Sequence, residues 1–291
     1  MRKIPNFSSA VIVSVLAGLL CSGCLNIKPT YSKEKVAESI VALSQKEYNL
    51  SPKVWLLGET VWIYIPLPHL LVGKIERNSN NELSLEWDKE KLNKINKIMM
   101  AASRVLLSMK PRPQFLVVIA SETKSEPGVD YAIVTWIPDI VKFQLQLISR
   151  DEFARRNLVT YGRNTNAMGD TEGTHIKRVE VRFEDFLSDQ LTQRIRNRFL
   201  LDKDVKDFVD VKKISVDFKK DTFNIVVDIS QTKTAPGIGT INVVGEIARM
   251  VAYVVREYDF KSILAVDIEN TATGDKAIFS RVTLLELLRS K

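Results

Sequence analysis

The chain has 291 residues, enough for one large domain or two ordinary ones. Hydrophobic residues make up 45% and charged residues 26%, a globular composition that excludes an intrinsically disordered chain. The net charge of +7 and isoelectric point near 9.2 are a mild basic bias, and no basic stripe interleaved with aromatics makes them a nucleic-acid footprint.

At the start of the chain, Arg2 and Lys3 precede the apolar run Ala10 to Leu20, AVIVSVLAGLL. That run has the length of a signal-peptide core, about 7–15 residues. Positive charge stays on the cytoplasmic side of a membrane, so the residues beyond the run are expected to be exported. The run ends in Leu20-Cys21-Ser22-Gly23-Cys24, which holds the only two cysteines. Small residues directly before Cys24 resemble the lipobox of bacterial lipoproteins, with Cys21 standing where leucine is usual. The resemblance is confined to this N-terminal segment. It implies a diacylglyceryl group on the Cys24 thiol, cleavage just before Cys24, and acylation of the new amino group by a palmitate-type chain.

On this reading residues 1–23 are a signal peptide and 24–32 a lipidated tether. Leu25, rather than aspartate, follows Cys24, which implies the outer membrane, facing the periplasm, in a cell with two membranes. An uncleaved anchor is the first alternative, because Ile4 to Ile27 contains no charge, and plain secretion is the second. Cleavage removes Arg2 and Lys3 from the 42 basic residues and leaves 40 against 35 acidic ones. It also leaves one cysteine, as a thioether, which excludes an intramolecular disulfide and a Cys-x-x-Cys redox pair.

Beyond the tether, Ser32 to Tyr48 carries Val36, Ile40 and Leu43 at helical spacing. Val54 to Leu57 and Thr60 to Ile65 read as strands. His69 to Trp87 reads as an inserted hairpin turning at Asn78 to Asn81. Asp88 to Met109 is the clearest helix, with Leu92, Ile95, Ile98, Ala102, Val105 and Leu106 on one face, and Pro111 and Pro113 stop it. Phe115 to Ala120 and Tyr131 to Ile137 are the next strands. Arg150 to His175 starts as a helix and becomes a polar, glycine-rich linker. Then come a strand, Ile176 to Val181, a helix over Phe183 to Phe199, a hairpin over Lys213 to Phe218 and Phe223 to Ile229, and a helix near Ile241 to Tyr258. Strands at Ile263 to Ile268 and Ala277 to Val282 and a short helix, Leu284 to Leu288, end the chain.

The same unit occurs twice. Asn96 to Ser121 aligns without a gap on Gly245 to Asn270, so that Ile98 matches Ile247, Ala102 Val251, Val117 Val266 and Ile119 Ile268. Asp130 to Ile137 then matches Asp275 to Val282, and Thr60 to Pro66 matches Thr222 to Asp228. The expected fold class is α+β: two tandem duplicated units, 33–149 and 176–291 joined by a 150–175 linker, each with helices on a mostly antiparallel sheet.

Candidate chemistry is sparse. There are two histidines, His69 and His175, and no Gly-x-Ser-x-Gly, so a histidine-based nucleophile system is not indicated. Asp170, Glu172 and His175 are metal-donor types within one loop, GDTEGTH, but lack the further ligands that real sites add; a solvated loop is the expected reading, with no metal and no cofactor. Gly237 and Gly239 precede a helix whose N-terminal N–H groups suit an anion, though neither the phosphate-loop ending nor the dinucleotide spacing is present. Arg194, Arg196 and Arg198 concentrate positive charge at a helix end and are candidate anion-binding residues.

No catalytic residue is assigned, and an enzyme is not the favoured reading. The expectation is a membrane-anchored envelope lipoprotein acting as a binding or scaffolding module. Its partners would be membrane lipid, through Cys24, and an envelope protein, with no nucleic acid. The alternatives are an envelope hydrolase with carboxylate chemistry near Asp170 and Glu172, or a component of a secretion or assembly complex. Cys24→Ala is predicted to abolish labelling by a fatty-acid probe in cells, and labelling that survives the substitution contradicts the lipoprotein assignment.

Overall fold

The computed structural model describes residues 31–72, 87–126, 128–233 and 239–289, together with the backbone of 76–77 and 83–84. The leader and Cys24 lie outside them. Among the described residues no helix is long and apolar enough to cross a membrane. Among the described residues the fold is α+β, with two main sheets, helices packed on each, and one small two-stranded hairpin.

The first unit opens with α1 (Val36–Tyr48), which buries Val36, Ile40 and Ser44 and stops where Asn49 turns left-handed, φ 53°. The hairpin β1 (Lys53–Leu57) and β2 (Thr60–Leu67) follows. Two short strands, β3 (Glu76–Arg77) and β4 (Leu83–Ser84), pair antiparallel in the expected inserted hairpin, whose turn lies outside the described residues. Asp88 then caps α2 (Lys89–Leu107) by accepting from the N–H groups of Glu90 and Lys91. The chain returns as β5 (Phe115–Glu122), parallel to β2, and β6 (Val129–Trp136), antiparallel to β5. Ile40, Ile95, Ile98 and Ala102 of α1 and α2 meet Val61, Ile63, Leu116 and Val118 in one core.

The second unit repeats this connectivity. It runs α5 (Phe183–Arg196), β8 (Val209–Lys219), β9 (Thr222–Gln231), α6 (Val243–Glu257), β10 (Ala265–Asn270), β11 (Asp275–Ser280) and α7 (Arg281–Glu286). Here too a hairpin is followed by a crossover helix, a parallel strand and a second hairpin. The sheet orders β1-β2-β5-β6 and β8-β9-β10-β11 are the same pattern.

One detail of the gapless alignment is corrected. The helices match as expected, Ile98 with Ile247 and Ala102 with Val251, all buried. In the parallel pairing, however, Thr60 faces Phe115 while Thr222 faces Ala265. Leu116 and Val118, not Val117 and Ile119, therefore stand where Val266 and Ile268 stand. The connection after α6 is one residue longer than that after α2. A one-residue slip in a strand exchanges its faces, so the expected pairing would have pointed the wrong side chains at the core. The slip carries into the next strand, where Tyr131 rather than Asp130 matches Asp275.

The linker expected over 150–175 is largely structure. It holds α4 (Arg150–Arg156), preceded by α3 (Ile137–Gln144), and then β7 (Leu158–Arg163), a fifth strand on the edge of the first sheet. Ile176 to Val181 is not a strand; side chains pin it across the back of the first sheet. Trp62 Nε1 donates to the Val179 carbonyl at 3.0 Å, and Val181 N–H donates to Thr60 Oγ1 at 2.9 Å.

That back face also receives the second unit. Phe115 meets Phe186 and Trp136 meets Phe183 at ring-centroid distances of 5.2 Å, and Trp136 lies 5.3 Å from Tyr258. Phe115 and Leu158 of the first sheet belong to the second unit's core. At this seam Arg156 is 1% exposed and binds three carboxylates: Asp139 at 3.0 Å, Glu152 at 2.7 Å and, from the second unit, Glu257 at 2.6 Å. The outer face of the second sheet carries Lys276 bridging Asp267 and Glu269, with the exposed Ile278 beside them.

Candidate anion-binding site

Arginines from both units meet beside the seam. Residues two apart on a helix point to opposite sides, while residues four apart share a face. Arg194 and Arg198 therefore look the same way, and Arg196 looks elsewhere. Arg194 and Arg198 line a cavity of about 780 Å³ with Arg155 of α4 and Arg249 and Arg256 of α6. Met250, Tyr253, Leu287 and Leu288 supply its apolar wall, and Glu152 and Asp202 its two carboxylates.

The arginines differ in how they are held. Arg198 is fixed by Glu246 at 2.8 Å and Asp202 at 2.6 Å, and the Glu246 carboxylate foremost raises its pKa despite burial. Arg155 leans on Glu152 Oε2 at 3.0 Å. Glu152 Oε1 is taken by Arg156, so Arg194, 3.8 Å from that oxygen, shares an acceptor already in use. Burial pushes the Glu152 carboxyl up, but its hydrogen bonds from Arg156 and Arg155 outweigh this and hold it ionised. Two nitrogens of Arg194, Nε and Nη2, are buried with no hydrogen-bond acceptor among the described residues. Its guanidinium lies 5.3 Å from the Tyr253 ring centre, and that of Arg256 lies 5.4 Å from the same centre. Arg249 is exposed.

The other sequence candidates are scattered. Arg196 lines a second groove of about 570 Å³ with Tyr161, Asp189 and Leu200, along the edge strand β7. Gly237 lies outside the described residues. Gly239, at φ +69°, offers its carbonyl to Gln231, and Asn242 caps α6, so Gly239 leads into a helix without joining the arginines.

Asp170 closes its loop on itself. Its carboxylate accepts from the N–H groups of Glu172, Gly173 and His175 at 2.8–2.9 Å and from the Thr174 hydroxyl at 3.1 Å. Burial pushes this carboxyl up, but the His175 N–H and ring, with the other donors, hold it well below the usual carboxylate range. Glu172 turns outward to Lys53 at 2.8 Å. His175 sits between Asp170 and Asp130, with Nε2 3.4 Å from Asp130. Gly173 has φ +73°, and a Cβ there would lie 2.9 Å from the Tyr64 ring. Asp170 and His175 are thus brought together as partners, while Glu172 faces Lys53 instead. Among the described residues no group of three or more His, Cys, Asp or Glu is placed to hold a metal ion.

His69 is exposed. Its Nδ1 meets both Ser125 Oγ, at 2.5 Å, and Glu122, at 3.7 Å. A nucleophile triad needs the two on opposite ring nitrogens, so this trio is not one.

Sequence reasoning missed Arg155, Arg249, Tyr253 and Arg256. The last three recur at helical spacing on the polar side of α6, a signal present in RMVAYVVRE.

Asp170→Ala is predicted to speed amide exchange at Glu172, Gly173 and His175 by at least about tenfold, after correction for intrinsic rates. A carboxylate with a depressed folded pKa contributes stability above its unfolded value, and that contribution is lost as pH falls through the folded one. The wild-type protection should therefore persist as pH falls through 3.8, the ordinary aspartate value. Exchange unchanged by the substitution would remove Asp170 as the clamp.

No protein-family model, curated protein or solved structure matches the chain.

Proposed function

We propose that the chain is a lipid-anchored envelope lipoprotein whose folded part is a binding module, with the arginine cavity as its recognition site for an anionic ligand or partner. The observation that carries the reading is the cavity itself: among the described residues five arginines line it, three of them paired to Glu152, Asp202, Glu246 and Glu257 and two, Arg194 and Arg249, left over, in a volume typical of ligand sites. Like charges gathered at one place repel, and an anion bound among them relieves that repulsion. The anchor half of the reading rests on Ser22-Gly23-Cys24. Cys24 precedes Tyr31 by seven residues. That length of chain spans at most roughly 25 Å, so the folded part would work close to the bilayer. Tyr31 is itself bridged to Met109 at the end of the first core.

The hydrolase alternative draws less support. Asp170 is occupied by loop N–H groups and Glu172 by Lys53, which leaves neither poised as a general base.

The test is thermal unfolding of the full chain with sulfate, phosphate or citrate, against sodium chloride at matched ionic strength. A bound anion at one hundred times its Kd should raise Tm by roughly 5–10 °C. The Arg194→Gln, Arg249→Gln double variant separates site binding from the general stabilising effect of such salts. The expected result is a shift with at least one anion that the double variant lacks. A shift equal in both proteins, or none with any anion, overturns the assignment of the cavity.

A further inference from the structure

Resting on that reading of the cavity, we infer that its ligand is a phosphate group carried on an apolar body, of the kind a phospholipid presents. Among the described residues all five cations lining the cavity are arginines and none is lysine. The guanidinium is a planar fork that matches phosphate oxygens two at a time, whereas an ammonium acts as a point charge. Three of the forks are already tethered: Arg198 by Glu246 and Asp202, Arg155 by Glu152, and Arg256 by Glu257 at 3.2 Å. Arg194 makes only a 3.8 Å contact with a Glu152 oxygen already held by Arg156, and Arg249 is exposed. Arg194 and Arg249 are therefore the two lining cations least committed to carboxylates, and the Tyr253 ring centre lies 5.3 Å from the Arg194 guanidinium.

The rest of the wall argues for more than a bare ion. Apolar atoms contribute more of it than polar ones, through Met250, Leu287 and Leu288. The volume of about 780 Å³ is in the range of sites for drug-sized ligands, far larger than one phosphate requires. An inorganic ion gains nothing from that apolar wall, while each methylene of an attached hydrocarbon buried there tightens binding by about fourfold.

Calorimetry tests this with the full chain in a fluorinated surfactant, which mixes poorly with hydrocarbon lipids. The three probes are inorganic phosphate, dihexanoyl phosphatidic acid and hexanoate. The inference predicts that the short-chain phosphatidic acid binds at least about tenfold tighter than inorganic phosphate, and that hexanoate binds weakest. Arg194→Gln and Arg249→Gln should each weaken both phosphate ligands by about tenfold or more. Leu288→Ser should weaken the lipid and leave inorganic phosphate unchanged, a split that general unfolding does not produce.

Equal affinity for inorganic phosphate and the lipid overturns the apolar body and makes the ligand a soluble phosphate. Equal affinity for hexanoate and the lipid overturns the phosphate. If neither phosphate ligand binds while citrate or sulfate still shifts Tm through Arg194 and Arg249, this inference falls and the anion site stands.

Discussion

The structure hangs on one buried cation. Arg156 is 1% exposed, and so is the side chain of Asp139, its partner at 3.0 Å. Taking such charges out of water costs several kcal/mol per ion, and only near-complete pairing offsets it. Arg156 meets that condition with Nε on Glu152, Nη1 on Asp139 and Nη2 on Glu257, and it lies 5.5 Å from the Tyr258 ring centre. Burial, the leading influence, pushes the Arg156 pKa down, but its carboxylate partners more than reverse it. At Asp139 burial wins and the carboxyl is raised. The two groups differ because Arg156 has three partners to offset its burial and Asp139 depends mainly on one.

From that pairing the site follows. Arg156 holds Glu152 by one oxygen, Glu152 holds Arg155 by the other, and Arg194 is left beside an acceptor already taken. Because Glu257 comes from α6, the same cation fixes the helix that carries Arg249, Tyr253 and Arg256. The aromatic seam of Phe115, Trp136, Phe183 and Tyr258 does the apolar part of the work. The back of the first sheet is buried under α5 and α6, while the corresponding face of the second sheet carries Asp267, Glu269 and Lys276 beside the exposed Ile278 and meets water.

Much of the fold is legible in the sequence, because it lies in local periodicity. The apolar stripes of α1, α2 and α6 and the order of strands announce both units. What escapes is set by tertiary context. The one-residue slip after α6 lies in a loop, where no periodicity marks it. The strand β7 reads as linker because five of its six residues are exposed and carry no alternating core pattern. Ile176 to Val181 reads as a strand, yet side chains of Trp62 and Thr60 hold it instead of a ladder. At the site, the cluster Arg194, Arg196, Arg198 is legible as charge, and helical geometry divides it. Arg155, Arg249 and Arg256 come from distant parts of the chain, and only folding brings them together.

The dependence on Arg156 is open to a direct measurement. Arg156→Met keeps most of the volume and removes the charge, leaving Asp139, Glu152 and Glu257 without their common partner. In equilibrium denaturation by guanidinium at pH 7, the account predicts a loss of about 3–5 kcal/mol relative to wild type. A change within about 0.5 kcal/mol would contradict it, since the seam, and the cavity beside it, would then be held by the aromatic contacts alone.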